Sequence, residues 1–176
     1  MGARSPFLVM TNHQKVHYDE VQISVIMDRT EFMKGENQMS EKNKAIVRRI
    51  IEDFNHGELN SVVELSAPDF IYHGAPPGVP PTREGWKMLL AMFRAGFPDI
   101  HFHIEYLIAE GELVMVRFTG QGTHHGEIMG IPATGKEVAF SGIVILRFAK
   151  GKMVERWEEF DMMGMMMQLG AIPAPA

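Results

Sequence analysis

Ile143-Val144-Ile145-Leu146-Arg147-Phe148-Ala149-Lys150-Gly151-Lys152-Met153-Val154-Glu155-Arg156-Trp157 reads as two extended segments meeting at a turn. Branched and aromatic residues dominate both arms, and Lys150-Gly151 is a hairpin signal. Working outward, period-two patterning extends over strands 100–108, 112–122, 137–148 and 153–161, with Glu110-Gly111 marking a second hairpin, so adjacent strands are antiparallel. Upstream of Pro98 the period changes. Ile46, Val47, Ile50, Ile51 and Phe54 fall at helical spacing after Ser40, which is read as an N-cap, and Gly57 stops the helix. A short helix over 59–65 ends before Pro68, and Asp69 to His73 reads as a strand entering a loop with four prolines, Pro76, Pro77, Pro80 and Pro81. Thr82 caps a helix from Arg83 to Ala95, with Trp86, Leu89, Leu90 and Phe93 on one side, and Met162 to Gly170 makes a short closing helix. Helices followed by meandering antiparallel strands is the α+β pattern, in which helices cover one face of a strongly curved sheet.

Composition narrows the chemistry. The 176 residues are 45% apolar and 22% charged with a net charge of −5, which describes one ordinary globular domain. Seventeen Lys and Arg against 22 Asp and Glu leave no basic stripe for phosphates, so a nucleic-acid partner is set aside. The absence of cysteine removes disulfides, thiolate metal sites and thiol nucleophiles together. No apolar run approaches the roughly 18 residues of a membrane span, and Pro6 to Met10 is too short for a signal-peptide core, so the expected location is the cytoplasm.

Residues 1–38 lack a sustained pattern apart from a candidate short strand, Val21 to Ile26. Lys34-Gly35-Glu36 can be encoded by a purine-rich tract a few codons before Met39. Residues 1–38 are therefore read as a disordered leader or start-site artefact, against the alternative of a genuine N-terminal arm, and 39–176 as a single domain.

Several local motifs are more specific. Phe97-Pro98-Asp99, Gly122-Thr123-His124-His125-Gly126, Gly130-Ile131-Pro132-Ala133-Thr134-Gly135-Lys136, Gly151-Lys152-Met153-Val154-Glu155-Arg156-Trp157, and Asp161 followed by Gln168-Leu169-Gly170 stand in this order. Together they resemble the SnoaL-like polyketide cyclase, or ester cyclase, family, over nearly all of residues 41–173. The resemblance implies the cone-shaped nuclear-transport-factor-2-like fold, a curved mixed, largely antiparallel sheet against N-terminal helices, and a homodimer. It also implies an intramolecular aldol condensation on a small hydrophobic carbonyl compound or polyketide ester, without metal or cofactor, in a pocket inside the cone. By motif position, Asp161 takes the family's acid/base role, and His73, His124 and Trp157 fall near the substrate.

The residues themselves bear on these roles. An aldol closure needs a base for an acidified C–H and then a proton for the new alkoxide, and one carboxyl can serve both. Strict alternation puts Met153, Glu155, Trp157, Glu159 and Asp161 on one face and Val154, Arg156, Glu158 and Phe160 on the other, so an inward Asp161 implies an inward Trp157. Asp161 also sits where an N-cap for the Met-rich helix belongs. His124 and His125 point to opposite faces if extended. His101-x-His103-x-Glu105 has a ligand-like spacing, but its opposite face, Ile100, Phe102, Ile104, Tyr106 and Ile108, is the apolar one, so the polar face is read as solvent or subunit interface rather than a metal site. The five methionines of 162–167 read as core packing over the open end of the cone. Two other functions remain open: a non-catalytic module binding a small apolar ligand, and an isomerase or hydratase.

Overall fold

The structure, a computed structural model, describes residues 12–173. The chain divides between Gln38 and Met39 into two compact units, and the site lies wholly within the second. Helix α1 (Asn12–Asn55) is followed by α2 (Leu59–Glu64), β1 (Ser66–His73), α3 (Arg83–Gly96), β2 (His101–Glu110), β3 (Leu113–Thr123), β4 (Glu137–Ala149), β5 (Lys152–Phe160) and α4 (Met162–Leu169). Two sequence expectations change here. Residues 21–26 are helical, because six residues of alternating apolar and polar character are too short a stretch for their period to separate strand from helix. Ser40 lies buried within α1 and caps nothing, since the helix is continuous through it.

The five strands form one mixed sheet in the order β1-β5-β4-β3-β2, antiparallel except for the parallel β1–β5 pair. β1 begins three residues earlier than expected and contains Pro68, whose missing N–H is tolerated because it falls in the irregular stretch between the Ser66 and Ile71 pairings. At the β4–β5 hairpin both Lys150 and Gly151 have positive φ, 51° and 72°, as a tight two-residue turn requires. Thr82 caps α3 by accepting from the Gly85 N–H at 3.4 Å.

The buried core lies between the helices and one face of the sheet. Val47, Ile50 and Phe54 of α1, Val62 of α2, and Trp86, Leu89 and Phe93 of α3 pack onto it. The inner face carries a checkerboard of glycine and phenylalanine. Gly120 pairs with Phe102 on one side and Phe140 on the other, and Gly142 pairs with Phe118 and Phe160. Each glycine leaves room for the rings beside it: a Cβ on Gly120 would sit 2.7 Å from Phe102 Cε1, and one on Gly142 would sit 2.6 Å from Phe118 Cζ. The rings interlock, Phe102 with Phe140 at 6.0 Å and Phe140 with Phe160 at 5.7 Å between centroids.

Two bulges correct the strict alternation read from the sequence. Between Ile104 and Tyr106 the β2–β3 register slips by one residue. Ile104 and Leu107 consequently both face inward, while Tyr106 and Ile108 join His101 and His103 on the outer face rather than the apolar inner one. In β5, Arg147 pairs with Glu155 but Phe148 pairs with Met153, so Val154 is the extra residue. Met153 is buried on the inner face, and Glu155, Trp157 and Glu159 lie on the outer one, opposite Arg147, Ile145 and Ile143.

The family-like motifs have local structural duties. Gln168 uses its carboxamide as a substitute peptide: it donates to Ala139 O at 2.8 Å and accepts from Ala139 N at 2.9 Å, closing the edge of β4 beyond the end of β5. Gln168→Met should leave that pair without protein partners, lower stability by about 1 kcal/mol and speed amide exchange at Ala139, read by hydrogen exchange. Asp99 accepts from the Thr123 N–H and hydroxyl, both at 2.7 Å, and these bonds hold its carboxyl below its usual range. A lowered folded value means this stabilisation is present at neutral pH and lost as pH falls below about 4. Asp99→Asn should therefore be less stable than the native chain at pH 7, with the gap in urea midpoints narrowing as pH falls below about 4.

Candidate functional site

A cavity lies between the inner face of the sheet and helices α1, α2 and α3, with a volume of about 80 Å³ measured to the centre of a water-sized sphere. Its wall is aromatic and aliphatic, dominated by Phe54, Trp86, Phe93, Phe102, Phe140 and Phe160, and among the described residues its only charged lining groups are Arg156 and Glu158. An apolar cavity with few convergent polar groups is the usual form of a small-molecule site.

Beyond the Val154 bulge, Arg156, Glu158 and Phe160 are the inward residues of β5. Arg156 Nη2 donates to Glu158 Oε1 at 2.7 Å, and Tyr72 of the neighbouring strand β1 donates its hydroxyl to Glu158 Oε2 at 2.8 Å. Both carboxylate oxygens are thus held, and the side chain is 10% exposed. Burial, and then the Glu158 charge, push the Tyr72 phenol well above its ordinary value, so Tyr72 remains a donor throughout the range in which the protein is handled. The Arg156 guanidinium lies against two rings, its Cζ 5.8 Å from the centroids of both Tyr72 and Trp86.

The four residues singled out by motif position stand elsewhere, in three separate places. His73 and Trp157 are together on the outer face, their rings parallel within 2° at 4.5 Å. His73 Nε2 is 2.7 Å from Glu155 Oε2, and Arg147 binds the other oxygen of that carboxylate through Nε at 2.8 Å. Arg147, and then His73, hold the Glu155 carboxyl below its usual range. His124 is fully buried in the 124–136 loop, where its Nδ1 accepts from the Thr134 N–H at 3.2 Å and its ring packs on Phe97. Asp161 is exposed and caps α4, accepting from the Gly164 N–H at 2.7 Å through Oδ1. None of the four lines the cavity.

Tyr72, Arg156 and Glu158 are the polar groups the sequence reading passed over. A signal existed in the alternation of β5, which sets Arg156, Glu158 and Phe160 on one face, but nothing local marked that face as the inner one. As for the His101, His103 and Glu105 spacing, Glu105 accepts from Thr119 Oγ1 at 2.9 Å, and no three acidic or histidine side chains converge on a metal-sized space among the described residues. Also among those residues, no helix is long and apolar enough to cross a membrane.

The comparisons with known proteins agree with this architecture. The sequence pattern of the SnoaL-like polyketide cyclases matches residues 44–169, and the chain belongs to that family. Its fold is the nuclear-transport-factor-2-like one, N-terminal helices on a five-stranded mixed sheet. Aklanonic acid methyl ester cyclase DauD of Streptomyces sp. (strain C5) is 28% identical over 129 residues, spanning 71% of this chain and 80% of its own. Among solved structures, IdmH of Streptomyces antibioticus, a candidate polyketide cyclase, superposes with a TM-score of 0.64 at 34% identity, over 73% of this chain and 98% of its own. AclR of Streptomyces galilaeus, a candidate hydroxylase, superposes with a TM-score of 0.71 at 28% identity, over 78% and 86%.

Proposed function

We propose that this protein closes a ring in a small hydrophobic carbonyl compound or polyketide ester by an intramolecular aldol condensation, using acid/base chemistry with no metal or cofactor, and that Glu158 is the acid/base residue. The observation that carries the reading is a carboxylate held on both oxygens at the wall of an aromatic cavity. Glu158 removes the proton made acidic by a neighbouring carbonyl, and the carbon so activated attacks a second carbonyl of the same molecule. The protonated carboxyl then returns its proton to the new alkoxide, leaving the residue as it began. The aromatic and aliphatic wall offers few hydrogen-bond partners to water that would compete for these protons. DauD, an ester cyclase by name, supports the reaction class, whereas AclR, of similar fold, shows why fold alone does not fix the chemistry.

A second reading keeps the acid/base role with Asp161, which matches the family motif by position and directly follows the cavity residue Phe160. The experiment is incubation of the protein with a panel of β-keto methyl esters, read by chromatography with mass detection, alongside Glu158→Gln and Asp161→Asn. A product of unchanged mass, lost only in Glu158→Gln, supports the first reading, and loss only in Asp161→Asn supports the second. A product heavier by one water would move the assignment to hydration, and an acid lighter by one CH2, with methanol released, would move it to ester hydrolysis. Binding without turnover in the native protein would make it a ligand-binding module.

The protein is further proposed to act as a homodimer through the outer face of the sheet. Tyr106, Ile108, Leu113, Ile143, Ile145 and Trp157 are all exposed on that one face, the kind of apolar grouping that marks an interaction surface. Sedimentation at micromolar concentration should give a dimer, and Ile145→Asp should give a monomer with the fold intact. A native monomer under these conditions would refute the interface.

A further inference from the structure

Four buried side-chain donors or acceptors lack a hydrogen-bond partner among the described residues: Trp86 Nε1, Arg94 Nε, His124 Nε2 and Arg156 Nε. Arg94 and His124 lie outside the cavity, whereas Trp86 and Arg156 both line it. Buried donors are almost always paired, so two unpaired ones against one cavity call for an acceptor. Trp86 is 1% exposed, on the inner side of α3, and its ring is fixed against Phe70 at 5.4 Å. Arg156 is restrained at the other end, since Nη2 is committed to Glu158 and the guanidinium rests on Trp86 and Tyr72. Its Nε–H is therefore free while its orientation is set.

We propose that Trp86 Nε1–H and Arg156 Nε–H together bind the carbonyl oxygen of the substrate, and that this pair holds the negative charge when the carbonyl becomes an enolate. The assignment rests on Glu158 being the base. When Glu158 takes the α-proton, the C–H electron pair forms the new C=C bond and the carbonyl π pair moves onto oxygen, where the two donors receive it. As the α-carbon attacks the second carbonyl, that pair returns to restore C=O, a C–C bond forms, and the resulting alkoxide takes the proton from Glu158. Donors fixed in advance within an apolar wall stabilise such an oxyanion more than mobile water does. The ligand class is a planar, enolisable β-dicarbonyl group on a hydrophobic ring, which places oxygen at the donors and apolar surface against the phenylalanines.

The test uses the full chain labelled with 15N-tryptophan. The two tryptophans give two indole signals, and Trp157→Phe assigns them. The probes are benzoylacetone and butylbenzene, which share a carbon skeleton and differ in the two oxygens. Benzoylacetone should move the Trp86 indole proton downfield on saturation, and butylbenzene should not. Trp86→Phe, which keeps a ring but loses the N–H, should bind benzoylacetone about tenfold or more weakly while binding butylbenzene as the native protein does, which also shows that its cavity is intact. Saturable benzoylacetone binding with the Trp86 signal unmoved overturns the donor pair, as does equal affinity in Trp86→Phe or no binding up to the solubility limit. If the donor pair fails while Glu158→Gln still blocks turnover, the acid/base reading stands without it. If the indole responds but Glu158→Gln turns over normally, the oxygen site stands and the base lies elsewhere.

Discussion

Glu158→Gln is expected to lower turnover of a responsive β-keto ester by about a thousandfold while changing ligand affinity by no more than about threefold. Glutamine matches glutamate in size and retains an oxygen that accepts from Tyr72 or Arg156, but it cannot take a proton from carbon. Asp161→Asn supplies the contrast. Asparagine is as good an N-cap as aspartate, so α4 should persist, and if Asp161 only caps, turnover should stay within about twofold of native. Single-turnover kinetics with direct binding measurements separates these outcomes. A thousandfold loss in Asp161→Asn with normal Glu158→Gln would transfer the chemistry to Asp161.

Gly142→Ala should be the most damaging small substitution in the sheet, at about 3 kcal/mol, lowering Tm by about 6–12 °C in a chain of this size. The added Cβ would meet Phe118 Cζ at 2.6 Å, Phe160 Cβ at 2.7 Å and the Glu159 carbonyl oxygen at 2.9 Å. Phe118 can turn away only into rings already packed against it, such as Phe102 at 5.3 Å, and the last contact is backbone, so relief on one side transfers strain to β5. Differential scanning calorimetry reads the effect. A cost below about 1 kcal/mol would show that the aromatic cluster yields more easily than its packing suggests.

The architecture was legible because it rests on period and punctuation. The α3 cap at Thr82, the stop at Gly57 and the positive-φ turn at Lys150-Gly151 are each local choices with one low-energy structural answer, and the structure realises all three. What could not be read were the one-residue slips at Glu105 and Val154. A bulge has no composition of its own, being set by how far each strand must bend to follow its neighbour. For this reason Tyr106 and Ile108 were assigned to the inner face, and Trp157 and Glu159 to the same face as Met153, where the structure separates them. Tyr72 and Trp86 reach the Arg156–Glu158 pair from another strand and from a helix, 84 and 70 residues from Arg156 in sequence, and no spacing rule spans that separation.

The bulge at Val154 carries a consequence for how relatives of this protein are compared. It acts as a phase switch: upstream of it the odd-numbered Met153 faces the cavity side, and downstream the even-numbered Arg156, Glu158 and Phe160 do. A homologue of the same length whose β5 ran without the slip would present the opposite set inward, trading an acid beside an arginine for Trp157 and Glu159 while keeping the same letters in the same columns. Aligned motifs and aligned cavities are then two different things. Sorting relatives by whether they carry this slip would divide them by what lines the chamber, a division that percentage identity does not register.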